Sequence, residues 1–71
     1  MKPTFTEGEW LRCAEESQTI KVRFLRFVPR DYFKEWAWAE VKEFGQHPRI
    51  VHVSYLCHLS ALEQLAQEAL K

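Results

Sequence analysis

Three histidines and two cysteines are the side chains of this sequence best suited to metal or thiol chemistry. His52, Cys57 and His58 lie close together, and imidazole with thiolate is a ligand set that zinc favours. On a strand, however, His52 and His58 would share one face while Cys57 points to the other. Neither a CxxC pair nor a helical histidine pair is present. The sequence therefore predicts no metal site, no cofactor, a core-facing Cys57 and surface histidines.

Catalysis by a nucleophile needs a thiol or hydroxyl, a base within hydrogen-bond reach and a group that orients the base. Cys57 and His58 do not satisfy this, because neighbours on a strand face opposite ways. With two glycines in the whole chain, a glycine-rich phosphate loop is also excluded. We therefore predict that this chain is not an enzyme.

Basic residues interleaved with an aromatic ring give the most specific binding hypothesis. Residues 20–34 hold five basic residues and one acidic residue. Strand alternation would place a set of basic and aromatic residues on one open sheet face: Trp10, Arg12, Lys21, Arg23 and His52. Binders of single-stranded nucleic acid use cations for the phosphates and rings for stacking. Single-stranded RNA binding through this face is therefore one predicted function.

Protein binding is the function that the sequence favours over RNA binding. Ten basic and ten acidic residues leave the chain without net charge, so nothing in the total charge attracts it to nucleic acid. Three tryptophans and a sheet face without its own cover suit a contact with another protein or with a second copy. Trp38 is a separate candidate for an anchor residue. We predict a small accessory or adaptor domain, with a homodimer as one form.

Length and composition predict a single folded domain over residues 1–71. The chain is 46% apolar, which is too hydrophobic for a disordered segment. No apolar run approaches the ~18 residues that span a bilayer, and no signal peptide is evident at the N-terminus. We therefore expect a cytoplasmic protein with free thiols and no membrane partner.

The C-terminal segment has the clearest signature of secondary structure. Ser60 and Glu63 have the spacing of a capping box. Apolar residues then recur on one helical stripe: Leu62, Leu65, Ala66, Ala69 and Leu70. The pattern predicts an amphipathic helix that docks on the core through this stripe.

Two segments alternate as strands do. One is "TIKVRFLRFV", in which a change of phase at Phe24 and Leu25 predicts either a bulge or burial on both faces. The other is "RIVHVSYLC", which predicts a strand from Ile50 to Cys57.

The segment "DYFKEWAWAEVKEFG" fits either a helix or a strand, and the helix is favoured. Asp31 is a good N-cap, Gly45 a good residue after a helix end, and Pro48 prevents continuation. A helical stripe is also present: Phe33, Trp36, Ala37, Val41 and Phe44. On this helix Trp38 would point away from the stripe, either partly exposed or covered by another segment.

Residues 6–16 are ambiguous between a short helix and a strand. Thr6 and Glu9 have capping-box spacing, which favours a helix, whereas a sheet of only two strands would be marginal. We favour a strand that forms a hairpin with the next segment. The predicted fold is α+β: a small mixed three-stranded sheet, made by an N-terminal hairpin and a strand, with two helices packed on one face. A right-handed crossover would make one strand pair parallel.

Overall fold

The computed structural model of the chain describes residues 3–15, 17–29 and 36–69. Its elements follow in chain order: β1 (Trp10–Glu15), β2 (Gln18–Val28), β3 (Trp38–Glu43), β4 (Arg49–His52), the 3-10 turn η1 (Val53–Tyr55), β5 (Leu56–His58) and α1 (Ala61–Glu68). The strands form one antiparallel sheet in the order β4-β3-β2-β1-β5. The predicted three-stranded mixed sheet with two helices on one face is therefore wrong, and so is the predicted parallel pair.

The predicted N-terminal hairpin is present. β1 and β2 pair in an antiparallel register that runs from Trp10 opposite Arg23 to Glu15 opposite Gln18. The predicted bulge is confirmed too, because the register between β2 and β3 shifts between Phe24 and Arg26. Alternation of side chains along a strand was sufficient evidence for both features.

The predicted helix over residues 31–44 is wrong in the part that the structure describes, since Trp38–Glu43 is strand β3. Its predicted start at Asp31 and Phe33 lies outside the described residues. Small apolar residues of β3 alternate into the interior, and Trp38 and Glu40 take the other side, half-buried. Helix propensities of Ala, Glu and Lys differ from those of other residues by only tenths of a kcal/mol, so pairing with two neighbouring strands overrides them.

Gly45 ends β3 by a turn and does not cap a helix. The Gln46 N–H donates to the Glu43 carbonyl at 2.9 Å, and Gly45 has a φ of +79°. A positive φ at the third residue is what a type II turn requires, and glycine adopts it without steric cost. The same glycine signal thus fits a hairpin turn as well as a helix end.

The predicted strand over residues 50–57 is interrupted. It divides into β4 and β5, separated by η1, because the chain leaves the ladder after His52, whose Nδ1 accepts the Ser54 N–H at 3.2 Å. β4 and β5 are the two outer strands of the sheet. In a flat sheet they would be about 19 Å apart, whereas a three-residue 3-10 turn advances about 2 Å per residue. The sheet must therefore curl until its edges approach each other.

The curled sheet buries its own inner face. The core on that face is formed by Leu11, Cys13, Val22, Phe24, Ala39, Val41, Val51, Val53 and Leu56. An ion pair between Arg49 and Glu15 links β4 to the end of β1. No helix is needed to cover this face.

The N-terminal segment folds into a turn that covers one end of the core. This turn lies where the alternative prediction had a short helix. Glu9 N–H donates to the Thr6 carbonyl at 2.9 Å, and Glu9 Oε1 accepts the Thr6 N–H at 2.9 Å. Thr6 and Glu9, the pair with capping-box spacing, therefore do contact each other, but within a turn and not at the start of a helix. Phe5 packs on Phe24 and Phe27, with ring centroids 5.6 and 6.2 Å apart.

The C-terminal helix is present, with the predicted Ser60–Glu63 capping box, but its predicted docking face is wrong. Leu62 is 78% exposed and Leu65 is 67% exposed, and no described residue of α1 is buried. Leu70 lies outside the described residues. Because the curled sheet fills its own interior, α1 finds no apolar surface to cover and packs with its polar side.

Two leucine substitutions test this arrangement. Leu11→Ala should lower the free energy of unfolding by about 2–5 kcal/mol, because Leu11 is fully buried in the core and the substitution leaves a cavity. Leu62→Ala should change it by less than about 0.5 kcal/mol, because Leu62 is exposed and alanine is a good helix former. Urea denaturation of both variants measures the difference. A large loss in Leu62→Ala would mean that α1 buries its leucines.

Candidate functional site

The strand register brings four of the six predicted site residues together on the outer face of the sheet. Trp10 lies opposite Arg23, and Arg12 lies opposite Lys21. We call these four residues, Trp10, Arg12, Lys21 and Arg23, the outer basic cluster. His52 and Trp38 lie opposite each other on β4 and β3, apart from this cluster.

Helix α1 lies over the outer basic cluster and places carboxylates on its arginines. Arg12 Nη2 is 3.2 Å from Glu63 Oε2, and Arg23 Nη2 is 3.7 Å from Glu68 Oε1. All four side chains remain partly exposed, so water and salt screen both pairs. Hydrogen bonds from Ser60 and the Arg12 guanidinium lower the pKa of Glu63, which keeps its carboxylate charged.

Trp10 is the centre of the cluster and is almost completely covered. It is 4% exposed, and the Arg23 guanidinium carbon stands 4.9 Å from its ring centroid. This is within the range of a cation–π interaction. The indole Nε1 is buried and has no hydrogen-bond partner among the described residues. The ring that was predicted to stack on a ligand is thus in contact with Arg23.

Gln64 fixes α1 to the sheet by a hydrogen-bonded clasp. Its Oε1 accepts the Trp10 backbone N–H at 3.1 Å, and its Nε2 donates to the Trp10 carbonyl. β5 ends at His58, opposite Leu11, so the backbone of Trp10 has no strand partner on that side. The side-chain amide carries one donor and one acceptor, as a peptide group does, and it takes the place of the missing strand residue.

Glu63, Gln64 and Glu68 were not predicted as parts of this site, because the leucine stripe was predicted to be the docking side of α1. The charges could have predicted the docking side of α1. The described part of α1 carries acidic residues and no basic ones, while β2 is basic. Such charge complementarity favours docking of α1 through its polar side.

His52 and Trp38 form a second cluster with little catalytic character. Their ring centroids are 5.1 Å apart in an edge-to-face arrangement, which is a favourable packing geometry. His52 Nδ1 lies 2.9 Å from Ser54 Oγ, the spacing of a base and a nucleophile. The same nitrogen also accepts the Ser54 backbone N–H, so the contact caps η1. These residues line an open cleft of about 620 Å³ that also contains Ile50 and Tyr55.

The thiols and histidines of the described residues lie at separate positions in the fold. Among residues 3–15, 17–29 and 36–69, no group of three His, Cys, Asp or Glu side chains is placed to hold a metal ion. His58 Nδ1 lies 2.9 Å from Glu9 Oε2. Cys13 is buried and Cys57 is exposed, so the predicted core position of Cys57 is wrong. β5 pairs with β1 so that Cys57 lies opposite Arg12, on the outer face.

Comparisons with models of known families, with curated proteins and with solved structures found no match to this chain. In the part of the chain that the structure describes, no helix is long and apolar enough to cross a membrane.

The clasp can be tested at the amide that it protects. Gln64→Ala should speed the hydrogen exchange of the Trp10 N–H about tenfold, because the substitution removes the acceptor of that proton. Gln64→Glu keeps the oxygen acceptor but loses the donor to the Trp10 carbonyl, so its exchange rate should be intermediate. NMR-detected exchange measures both variants. Equal exchange in Gln64→Ala and the parent chain would show that the Gln64 amide does not hold the strand.

The two cysteines should differ in reactivity. Burial, and secondarily the nearby Glu15 carboxylate, raises the pKa of the Cys13 thiol to about 11, so Cys13 stays a protonated thiol near neutral pH. Iodoacetamide should therefore modify Cys57 alone in the folded protein and both cysteines in urea, as measured by mass spectrometry. Modification of Cys13 at the rate of Cys57 would contradict the buried position of β1.

Proposed function

We propose that this chain is a non-catalytic protein-binding domain that uses the outward face of α1 as its contact surface. The observation that carries the proposal is the orientation of α1, whose polar side is bound to the sheet while Leu62 and Leu65 face solvent. Exposed leucines on a helix that is already docked by its other side indicate a surface that a partner covers.

An amphipathic helix is the partner that fits this surface. The outward stripe of α1 combines two leucines with Ala66 and Ala69, and small residues let a second helix approach closely. The stripe carries no charge, so it selects an apolar partner and does not repel an identical one. A second copy presents the same stripe, and two copies can pair α1 on α1 about a two-fold axis.

The contact is small, which makes the association weak and reversible. An eight-residue helix is about 12 Å long, and one such pair buries less than a standard interface of roughly 1,200–2,000 Å².

A free, exposed Cys57 is compatible with a reducing compartment, and we place the protein in the cytoplasm.

Sedimentation equilibrium from micromolar to millimolar concentration tests the proposal. The chain should shift from monomer to dimer mass with rising concentration. Leu62→Gln with Leu65→Gln should remove the shift, because glutamine keeps helix propensity and removes the apolar contact. Phe44→Gln is the control, since Phe44 is equally exposed on the turn after β3.

Two results would contradict the proposal. One is a monomer at every concentration. The other is a dimer that survives both leucine substitutions but is lost in Phe44→Gln, which would assign the contact to the β3–β4 turn.

A further inference from the structure

We infer that the outer basic cluster beneath α1 is a binding surface for single-stranded nucleic acid, and that α1 occupies it with its own carboxylates. The inference does not depend on the protein-binding proposal, because it concerns the sheet side of α1. It starts from the groups that α1 covers.

The cluster has the two chemistries that single-stranded nucleic acid requires. Arg12, Lys21 and Arg23 supply three cations within one patch of adjacent strands. Trp10 lies among them on a rigid strand, and its ring already holds a planar cation, the Arg23 guanidinium, at 4.9 Å. Phosphates bind such cations, and a base can stack on such a ring.

The contacts of α1 resemble those of an anionic ligand on this cluster. Glu63 and Glu68 place carboxylate oxygens on Arg12 and Arg23, and guanidinium groups bind carboxylates and phosphates with the same geometry. Lys21 remains exposed beside them. The helix thus satisfies two of the three cations that a phosphate backbone would satisfy.

The contacts that hold α1 on the sheet are weak enough for a nucleic-acid ligand to displace the helix. No described residue of the helix is buried, and its two ion pairs are partly exposed. The chain before it is fixed by Leu59, which is buried, so α1 can leave the sheet by movement at Ser60 without opening the core. Loss of α1 from the sheet would free the Trp10 backbone and release both arginines, including Arg23, which lies against the Trp10 ring.

The test measures binding of a fluorescein-labelled, mixed-sequence single-stranded RNA by anisotropy. Glu63→Gln with Glu68→Gln should bind about tenfold tighter than the parent chain, because the competing carboxylates are gone. The log–log salt slope of this variant should be about −2, as expected for three cations on a single strand. Glu7→Gln with Glu9→Gln is the control of equal charge change. Neither control residue is in the cluster, and binding should stay at the parent level.

Two further variants separate the effects of charge, of the clasp and of the two arginines on RNA binding. Gln64→Ala changes no charge and removes the clasp, so it should also strengthen RNA binding, and it replaces the double variant if that variant does not fold. Adding Arg12→Gln and Arg23→Gln to the double variant should abolish the gain and reduce the salt slope by about 1.4.

Three outcomes would overturn the inference. The first is a folded Gln64→Ala or carboxylate variant that binds no tighter than the control. The second is a gain that persists without Arg12 and Arg23. The third is competition by poly-glutamate as effective as competition by RNA, which would show a charge effect without base stacking on Trp10.

Discussion

The three-residue connection between β4 and β5 is the constraint on which the rest of the structure depends. It joins two strands at opposite edges of a five-stranded sheet, so the sheet has to curl. Curling turns one face inward, and the alternating apolar residues of five strands then pack against one another. A chain of this length cannot easily bury a core with two layers, and one curled layer solves that difficulty. His52 and Ser54 matter for this reason, because their contact caps the turn that closes the curl.

The role of α1 follows from the same constraint. In a flat sheet, an amphipathic helix would cover the inner face with its leucines. Here the inner face is already closed, and the outer face offers α1 arginines, an indole ring and an unpaired strand backbone. Polar and charged groups of the helix satisfy the arginines and the strand backbone better than leucines could, because a covered donor without an acceptor is expensive. The leucines are left in solvent, where they lower solubility unless a partner covers them.

Sequence patterns predicted the local features of this fold better than they predicted how the sheet and the helix pack together. Alternation identified the β1–β2 hairpin and the bulge after Phe24. It did not distinguish β3 from a helix, since Ala, Glu and Lys favour helices and Gly45 fits both a helix end and a turn. The capping box of α1 is local and was predicted correctly. The direction in which α1 faces depends on what the sheet leaves uncovered, and no local pattern contains that information.

The two sides of α1 are thermodynamically linked. A partner that binds the leucine stripe of docked α1 stabilises the docked helix, and it must weaken binding of an anion at the outer basic cluster by the same factor. A partner that needs α1 free of the sheet would have the opposite effect, because it would release Arg12 and Arg23 from the helix carboxylates. The sign of the coupling therefore depends on whether a bound partner leaves the Gln64 clasp intact. Protection of the Trp10 amide in the complex reports that sign directly, since the clasp hydrogen-bonds α1 to the backbone of β1.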